Sequence, residues 1–362
     1  MRVSNTFGWF SGCSLWLLAF AACLVLLGAL SRSSQKVFSM EGSKYHLSIT
    51  PLKGSGYPPV FAYWICGTNG ESEKILRLLK AIYHPRNQYL LQLDAGSSDY
   101  DRGQLALYVQ SEKVFQAFGN VNVVGKSYAL NQMGSSALAA TLHAAALLLK
   151  LSADWDWFIT LSASDYPLIP QDDLLHAFTL LPRNTNFIHF TNKTGWKEQK
   201  NMDRIVVDPS LYLQESTPLM YAVENRSMPD AFKIFGVNND LRYIVWDSNA
   251  LGESQVLSMS HYDQMLASGA AFARPFQADD PILNKIDENV LNRSSKGLVP
   301  GEWCPDLGRS KSLENSTAQE ELCPAWDNIN SVKPGPRGIS LRELLPKLAV
   351  EGRFTTSHCQ ER

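Results

Sequence analysis

Histidine and cysteine are scarce in this chain, seven and six among 362 residues. None falls into the paired spacing of a zinc site, so a metal held by such ligands is not expected. A dominant charge sign is also lacking. With 33 Lys and Arg against 35 Asp and Glu, the formal charge is −2 and no basic run breaks the mixture. The electrostatic footprint of a nucleic-acid binder is therefore missing. No Walker-type lysine follows a glycine-rich loop, and Gly67 with Gly70 is too loose for a dinucleotide fingerprint. Long hydrophobic runs are absent but for one.

That one run, Trp9 to Leu30, carries no charged residue. It has the length of ~20 residues that a bilayer-crossing helix needs. Signal-peptide cores are shorter, typically ~7–15 residues, and Ala29-Leu30-Ser31 is a poor cleavage site. An uncleaved anchor at 9–30 is expected, with a short tail at 1–8, a Ser-, Lys- and Gly-rich stem at 31–58 and a single domain at 59–362. Arg2 and the amino terminus oppose Arg32, Lys36 and Lys44, so flanking charge leaves the orientation open. Sequons at Asn192, Asn225, Asn292 and Asn315 all lie beyond the run, as in a chain delivered to the secretory lumen. Cys13 and Cys23 fall inside the anchor. Cys66, Cys304, Cys323 and Cys359 can form two disulfides in three connectivities, although Cys66, in an apolar run, reads equally as a buried thiol.

Within the domain, VFAYWICG reads as a buried strand from Val60, and SEKILRLLKAIY as a helix with Ile75, Leu78, Leu79 and Ile82 on one face. YLLQLD is a second strand ending in Asp94. A helical pattern over 104–118, the strand VNVVG and the helix SSALAATLHAAALLLKL follow. DWDWFITLSASDYPLIPQDDLL then runs a fourth strand, Trp157 to Leu161, into a turn ending in Asp165-Tyr166-Pro167 before a helix opened by Asp172 and Asp173. This alternation predicts an α/β fold with a mostly parallel sheet and right-handed helical crossovers. Ligands of such sheets bind at the carboxyl ends of strands, which selects Gly67-Thr68-Asn69, Asp94 and Asp165.

Two D-x-D triplets invite a metal reading. Asp154-Trp155-Asp156 precedes its strand and so lies at the wrong edge, whereas Asp99-Tyr100-Asp101 sits in a polar stretch where a turn or helix cap is the commoner role. A site without a metal is expected.

The blocks AYWICG, ILRLLKAIYHPRNQYLLQLD, WDWFITLSASDYPLIPQDDLL, NDLRYIVWD and FARPFQADDPILNKID together resemble the plant members of glycosyltransferase family 14. These include the β-glucuronosyltransferases of arabinogalactan synthesis, relatives of the core-2 branching enzymes and xylosyltransferases. The resemblance runs from about Val60 to the C-terminus. It implies a single-pass type II Golgi membrane protein with a GT-A-like fold that transfers sugar from a UDP donor with inversion and without a D-x-D metal. It further implies that Cys66, Gly67, Thr68 and Asp94 border uridine and ribose, that Asp165 lines the donor pocket, and that Arg242 and Arg274 face the diphosphate. Pro275 stands where many relatives carry lysine. Trp196, with Lys197 and Glu198 beside it, is the candidate acceptor platform, since an exposed indole stacks on sugar faces.

The largest departure lies between Gly236 and Val237. The family pattern places there a Trp-rich segment and a Ser-Pro-Glu-like motif whose glutamate would be the general base. Here KIFG runs directly into VNNDLRYI. Glu224, Asp279 and Asp280 have no spacing that marks them as substitutes. Asn131-Gln132-Met133-Gly134 also differs from the aromatic or basic residue that relatives carry before the glycine. Two functions are therefore expected to compete: glucuronosyl transfer from UDP-glucuronate to β-galactan, with UDP-N-acetylglucosamine or UDP-xylose as other donors, and a base-deficient binding or scaffold subunit associating with related transferases.

Overall fold

In a computed structural model, the structure describes residues 50–130, 134–188, 204–208, 221–225, 236–237, 239, 241–246, 254–304, 323 and 326–355. The anchor at 9–30, the stem to residue 49, Asn131 to Met133, Trp196, Lys197, Glu198, Asn192, Asn315 and Cys359 lie outside them. Among the described residues no helix is long and apolar enough to cross a membrane.

Strand β1 (Phe61–Gly67) is buried on both faces, and its residues alternate between two cores. Phe61, Tyr63 and Ile65 enter a large cluster; Ala62 and Trp64 enter a smaller one on the opposite face. A period of two places successive side chains on opposite faces, so a strand apolar at every position sits between two helical layers. Helix α1 (Ser72–Ile82) fills the first layer with Ile75, Leu78, Leu79 and Ile82. Strand β2 (Gln88–Leu93) repeats the alternation, and Gln92 on the smaller side accepts the Trp64 indole N–H at 3.0 Å. The stretch expected to be one helix is two, α2 (Asp99–Ser111) and α3 (Lys113–Phe118), separated at Glu112, where the backbone is extended. Ser98 caps the first of them by accepting the Asp101 N–H.

Strand β3 (Val121–Val123), helix α4 (Ser135–Leu151) and strand β4 (Trp157–Ser162) complete the unit. Helix α4 supplies Ala140, Ala144 and Leu148 to the smaller cluster. The four strands lie in the order β3-β2-β1-β4, all parallel. Their carboxyl ends therefore share one edge.

After β4 come strand β5 (Tyr166–Pro167), helix α5 (Gln171–Phe178), the short strands β6 (Asn186–Phe187), β7 (Arg204–Val207), β8 (Tyr221–Asn225) and β9 (Gly236–Val237), and strand β10 (Arg242–Tyr243). Helix α6 (Tyr262–Ala267), strand β11 (Phe272–Ala273), helix α7 (Pro281–Asn289) and helix α8 (Pro336–Thr355) follow. Strands β10, β11 and β5 form a second sheet, β6 pairs with β9, and β7 pairs with β8.

Asp172 and Asp173 open α5 as expected, but both are buried. They clamp the C-terminal segment. Asp172 Oδ2 accepts from the backbone of Glu302 and Lys333, each at 2.9 Å, and Asp173 accepts from Gly335 and, at 2.9 Å, Gly338 in the first turn of α8. Arg86, also buried, donates to the carbonyls of Leu52, Pro58 and Pro59, so residues 52–58, read as stem from the sequence, are tied to the domain. Cys304 and Cys323 form a disulfide, one of the open pairings, and Cys66 is a free thiol.

Burial lifts Asp172 to about 6 even though two N–H groups oppose the shift. Its other oxygen lies 3.8 Å from His84 Nε2. The folded pKa exceeds the ordinary carboxylate value of ~4, so this contribution to stability is complete below about pH 4 and is lost as pH rises through about 6. Asp172→Asn is neutral throughout and lacks the term. Its melting temperature relative to wild type should rise between pH 4 and pH 7, corresponding to about 2–3 kcal/mol. A pH-independent difference would sink the account. His84, whose imidazole burial holds well below its usual value, is present in both proteins, so its effect cancels to first order.

Candidate functional site

Gly67 closes β1 at the shared carboxyl edge, and its carbonyl accepts the Asp94 N–H at 2.9 Å, which brings the ends of β1 and β2 together. Space is tight at this position. A Cβ would lie 2.9 Å from Ile75 Cδ1 and 3.3 Å from both Ala163 and Glu71, so a side chain here would have to displace the tip of Ile75. Thr68 turns inward on its own loop: its N–H and hydroxyl both donate to Glu71 Oε2, at 2.8 and 2.9 Å. Burial raises the Glu71 carboxyl, but the hydrogen bonds from Thr68 and Lys74 outweigh it, and the net shift is downward.

Asp165 stands beyond the end of β4 and is 2% exposed. Its Oδ2 accepts from the Ser162 N–H at 2.5 Å and hydroxyl at 2.8 Å. Its Oδ1 faces two guanidinium groups, with Arg242 Nε at 3.8 Å and Arg274 Nε at 3.9 Å. The structure thus brings three of the residues read from sequence into one cluster. Pairing sets this convergence. In the second sheet Arg242 is opposite Phe272 and Ala273 is opposite Tyr166, so Arg274, the residue after β11, arrives beside Asp165, the residue before β5. The two cations are not equivalent. Arg242 donates through Nη2 to the Thr160 carbonyl and its side chain is 17% exposed, whereas that of Arg274 is 42% exposed. Arg274 is the one presented to solvent.

Cys66 lies behind this cluster, its thiol 3.5 Å from the Leu161 carbonyl. Burial, then the Asp165 charge, push it up to about 11 against the opposing pull of Arg274. It is a neutral wall, not a nucleophile.

Beside Asp94 opens a cleft of about 800 Å³, lined among others by Ala95, Arg102, Lys126, Tyr128 and His143. Asp94 itself is half-buried, with Oδ1 accepting from Ser97 at 2.9 Å and its carbonyl from Arg102 at 2.9 Å. Tyr128 is exposed and meets His143 edge-on at 5.4 Å, so a flat ring has a platform there. Sequence reasoning missed this wall. The signal was present, because GKSYAL follows β3 after Val124, at the same sheet edge as Asp94 and Asp165.

The D-x-D carboxylates make local contacts, and the exposed Asp99 also lines this cleft. Asp99 pairs with Arg102 at 2.7 Å and Asp101 accepts from the Ser98 hydroxyl at 2.7 Å. Asp156 accepts from Val60 N at 2.8 Å at the amino edge of the sheet, and Asp154 meets Lys53 at 3.4 Å. Of the acids weighed as replacement bases, Asp280 caps α7 by accepting from Ile282 at 2.9 Å, and Asp279 is exposed. Glu224 and Asn225 lie in β8. Asn292 is exposed with a φ of 49°. Asp208, not singled out from sequence, is buried against the start of α4 and accepts from the Ser136 N–H at 2.9 Å and hydroxyl at 2.5 Å.

The Core-2/I-Branching enzyme family model matches residues 61–239. The chain is 34% identical to β-glucuronosyltransferase GlcAT14A of Arabidopsis thaliana, covering 84% of this chain and 78% of the relative. It is 39% identical to GlcAT14C of the same plant, over 66% of this chain and 76% of that protein. A more distant match, 27% identical over 79% of this chain and 38% of the relative, is xylosyltransferase 2 of Mus musculus. The chain belongs to the core-2/I-branching enzyme family, glycosyltransferase family 14, beside the plant β-glucuronosyltransferases.

Proposed function

We propose that the domain binds a UDP-sugar along the carboxyl edge of its sheet, with UDP-glucuronate as donor and the β-galactan side chains of arabinogalactan proteins as acceptor. The observation that carries this reading is the guanidinium pair Arg242 and Arg274 at Asp165, on the same carboxyl edge of the sheet as the cleft beside Asp94, although Arg242 itself lines a separate cavity of about 360 Å³. A diphosphate leaving group needs positive charge where its own charge develops, and a guanidinium offers paired donors for phosphate oxygens. The nucleoside would occupy the cleft, its base on the Tyr128 face and its ribose hydroxyls on Asp94. The parallel sheet, with its site at strand carboxyl ends, is read as GT-A-like. No metal is assigned in this reading; the guanidinium groups of Arg242 and Arg274 take the charge-neutralising role.

A second reading rests on a specific observation. The 358-residue alignment to GlcAT14A uses 84% of 362 residues, about 304, leaving about 54 aligned positions without a residue here. For GlcAT14C the alignment spans 295 positions against 66% of the chain, about 239 residues, leaving about 56. The total of these gaps is the size that a block missing between Gly236 and Val237 would leave, and such a loss would give a protein that binds the donor but transfers sugar poorly. In this reading it serves as a binding or scaffold subunit with related transferases. The Golgi membrane is the proposed location, reached through the 9–30 anchor in type II orientation.

Calorimetric titration of the full chain with UDP-glucuronate, UDP-xylose and UDP-N-acetylglucosamine tests the donor. Tightest binding of UDP-glucuronate is expected, and equal affinity for all three would refute its selection by this chain.

A further inference from the structure

A buried ionic cluster lies behind the site. Asp287 of α7 is 1% exposed, and its Oδ1 accepts the Tyr166 hydroxyl at 2.6 Å and faces Arg293 Nη1 at 3.2 Å. Its Oδ2 accepts from Arg77 Nη2 at 2.8 Å. The Tyr166 oxygen in turn accepts from Arg293 Nη1 at 3.1 Å and Arg77 Nε at 3.3 Å. Arg293 is further fixed by the carbonyls of Ser294, Ser295 and Gly297. One carboxylate and one phenol thereby join α1, α7 and the loop after α7.

Tyr166 also brackets Arg274. On one side its backbone pairs with Ala273 in the second sheet; on the other its ring meets Phe276 edge-on, with centroids 6.3 Å apart. Only Arg274 and Pro275 lie between these two contacts. The Phe276 N–H donates to the Ser164 carbonyl at 3.0 Å, closing the same loop onto the residue before Asp165. Asp165 is bonded covalently to Tyr166. The Arg274 to Asp165 separation therefore depends on where the Tyr166 ring is held, and its hydroxyl is pinned by Asp287.

We propose that Asp287, acting through the Tyr166 hydroxyl, is a positioning residue that sets Arg274 against Asp165 and so fixes the geometry of the diphosphate subsite. The ligand assignment rests on the donor reading above; the positioning role does not. A fixed cation is worth more to a phosphate than a mobile one, because the cost of orienting it has been met in advance. Displacements of ~1 Å at such sites cost as much as ~100-fold in rate.

The test uses the full chain and the variant Tyr166→Phe, which removes one oxygen and keeps the ring, with Asp287→Asn as the second variant. UDP and uridine are titrated calorimetrically. Both variants are expected to weaken UDP binding about tenfold while uridine stays within about twofold, whatever the change in melting temperature. A parallel loss of both ligands in step with stability would reduce the cluster to a structural role and overturn the proposal, as would unchanged UDP affinity. If wild type binds neither ligand, the donor reading fails by itself. Crystal structures of wild type and Tyr166→Phe then decide the positioning role: a wider Arg274 to Asp165 separation in the variant supports it, and an unchanged one overturns it.

Discussion

Inserting the Trp-rich, glutamate-bearing segment of the family pattern between Gly236 and Val237 is expected to raise sugar transfer about 10²- to 10⁴-fold over the chain as it stands. General-base removal of the acceptor proton contributes on that scale, and the described acids offer no evident substitute. Asp280 is spent on a helix cap, Asp279 lies on the surface, and Asp165 faces two cations. The insertion point lies inside an element of the fold. Strand β9 straddles it with only Gly236 and Val237, paired to β6, and Leu241 then turns in the left-handed region before Arg242. Among the described residues β4 is left as the outer strand of the main sheet. The measurement is product formation from UDP-glucuronate and a β-galactan oligosaccharide, followed by mass spectrometry on both proteins. Equal rates would mean that this chain supplies a base of its own.

Replacing Arg274 by alanine should weaken UDP about 100-fold and leave uridine within about twofold. The exposure difference makes Arg274 the better target, since Arg242 is already committed to the Thr160 carbonyl. Arg242→Ala should therefore cost stability first, by exposing an unpaired carbonyl and loosening Asp165, with a smaller specific effect on UDP. Calorimetric titration of both variants with both ligands separates the roles. An Arg274→Ala protein that binds UDP as wild type does would remove the diphosphate from this guanidinium.

Much of the scaffold was legible from local pattern. Strands β1, β2 and β4 and helix α4 fall where apolar runs and periodicity put them, because a strand buried on both faces and a long Ala- and Leu-rich helix each carry a signal in consecutive residues. The strand-end rule then found Asp94 and Asp165. It stopped one strand short of Lys126 and Tyr128. The break between α2 and α3 escaped because Glu112, a good helix former, takes an extended conformation there, against its own propensity.

Consecutive residues thus account for the layered parallel sheet, for its shared carboxyl edge and for two of the carboxylates there. Folding in three dimensions accounts for the rest. Asp172 and Asp173 became a clamp because segments about 130 and 160 positions later supply their donors. Cys304 found Cys323 among three pairings, and Arg242 met Arg274 at Asp165 through the register of a sheet whose strands are two residues long. Hydrophobic periodicity is a property of neighbours along the chain, whereas charge pairing depends on distance through space. The latter is set only when the sheets have chosen their register.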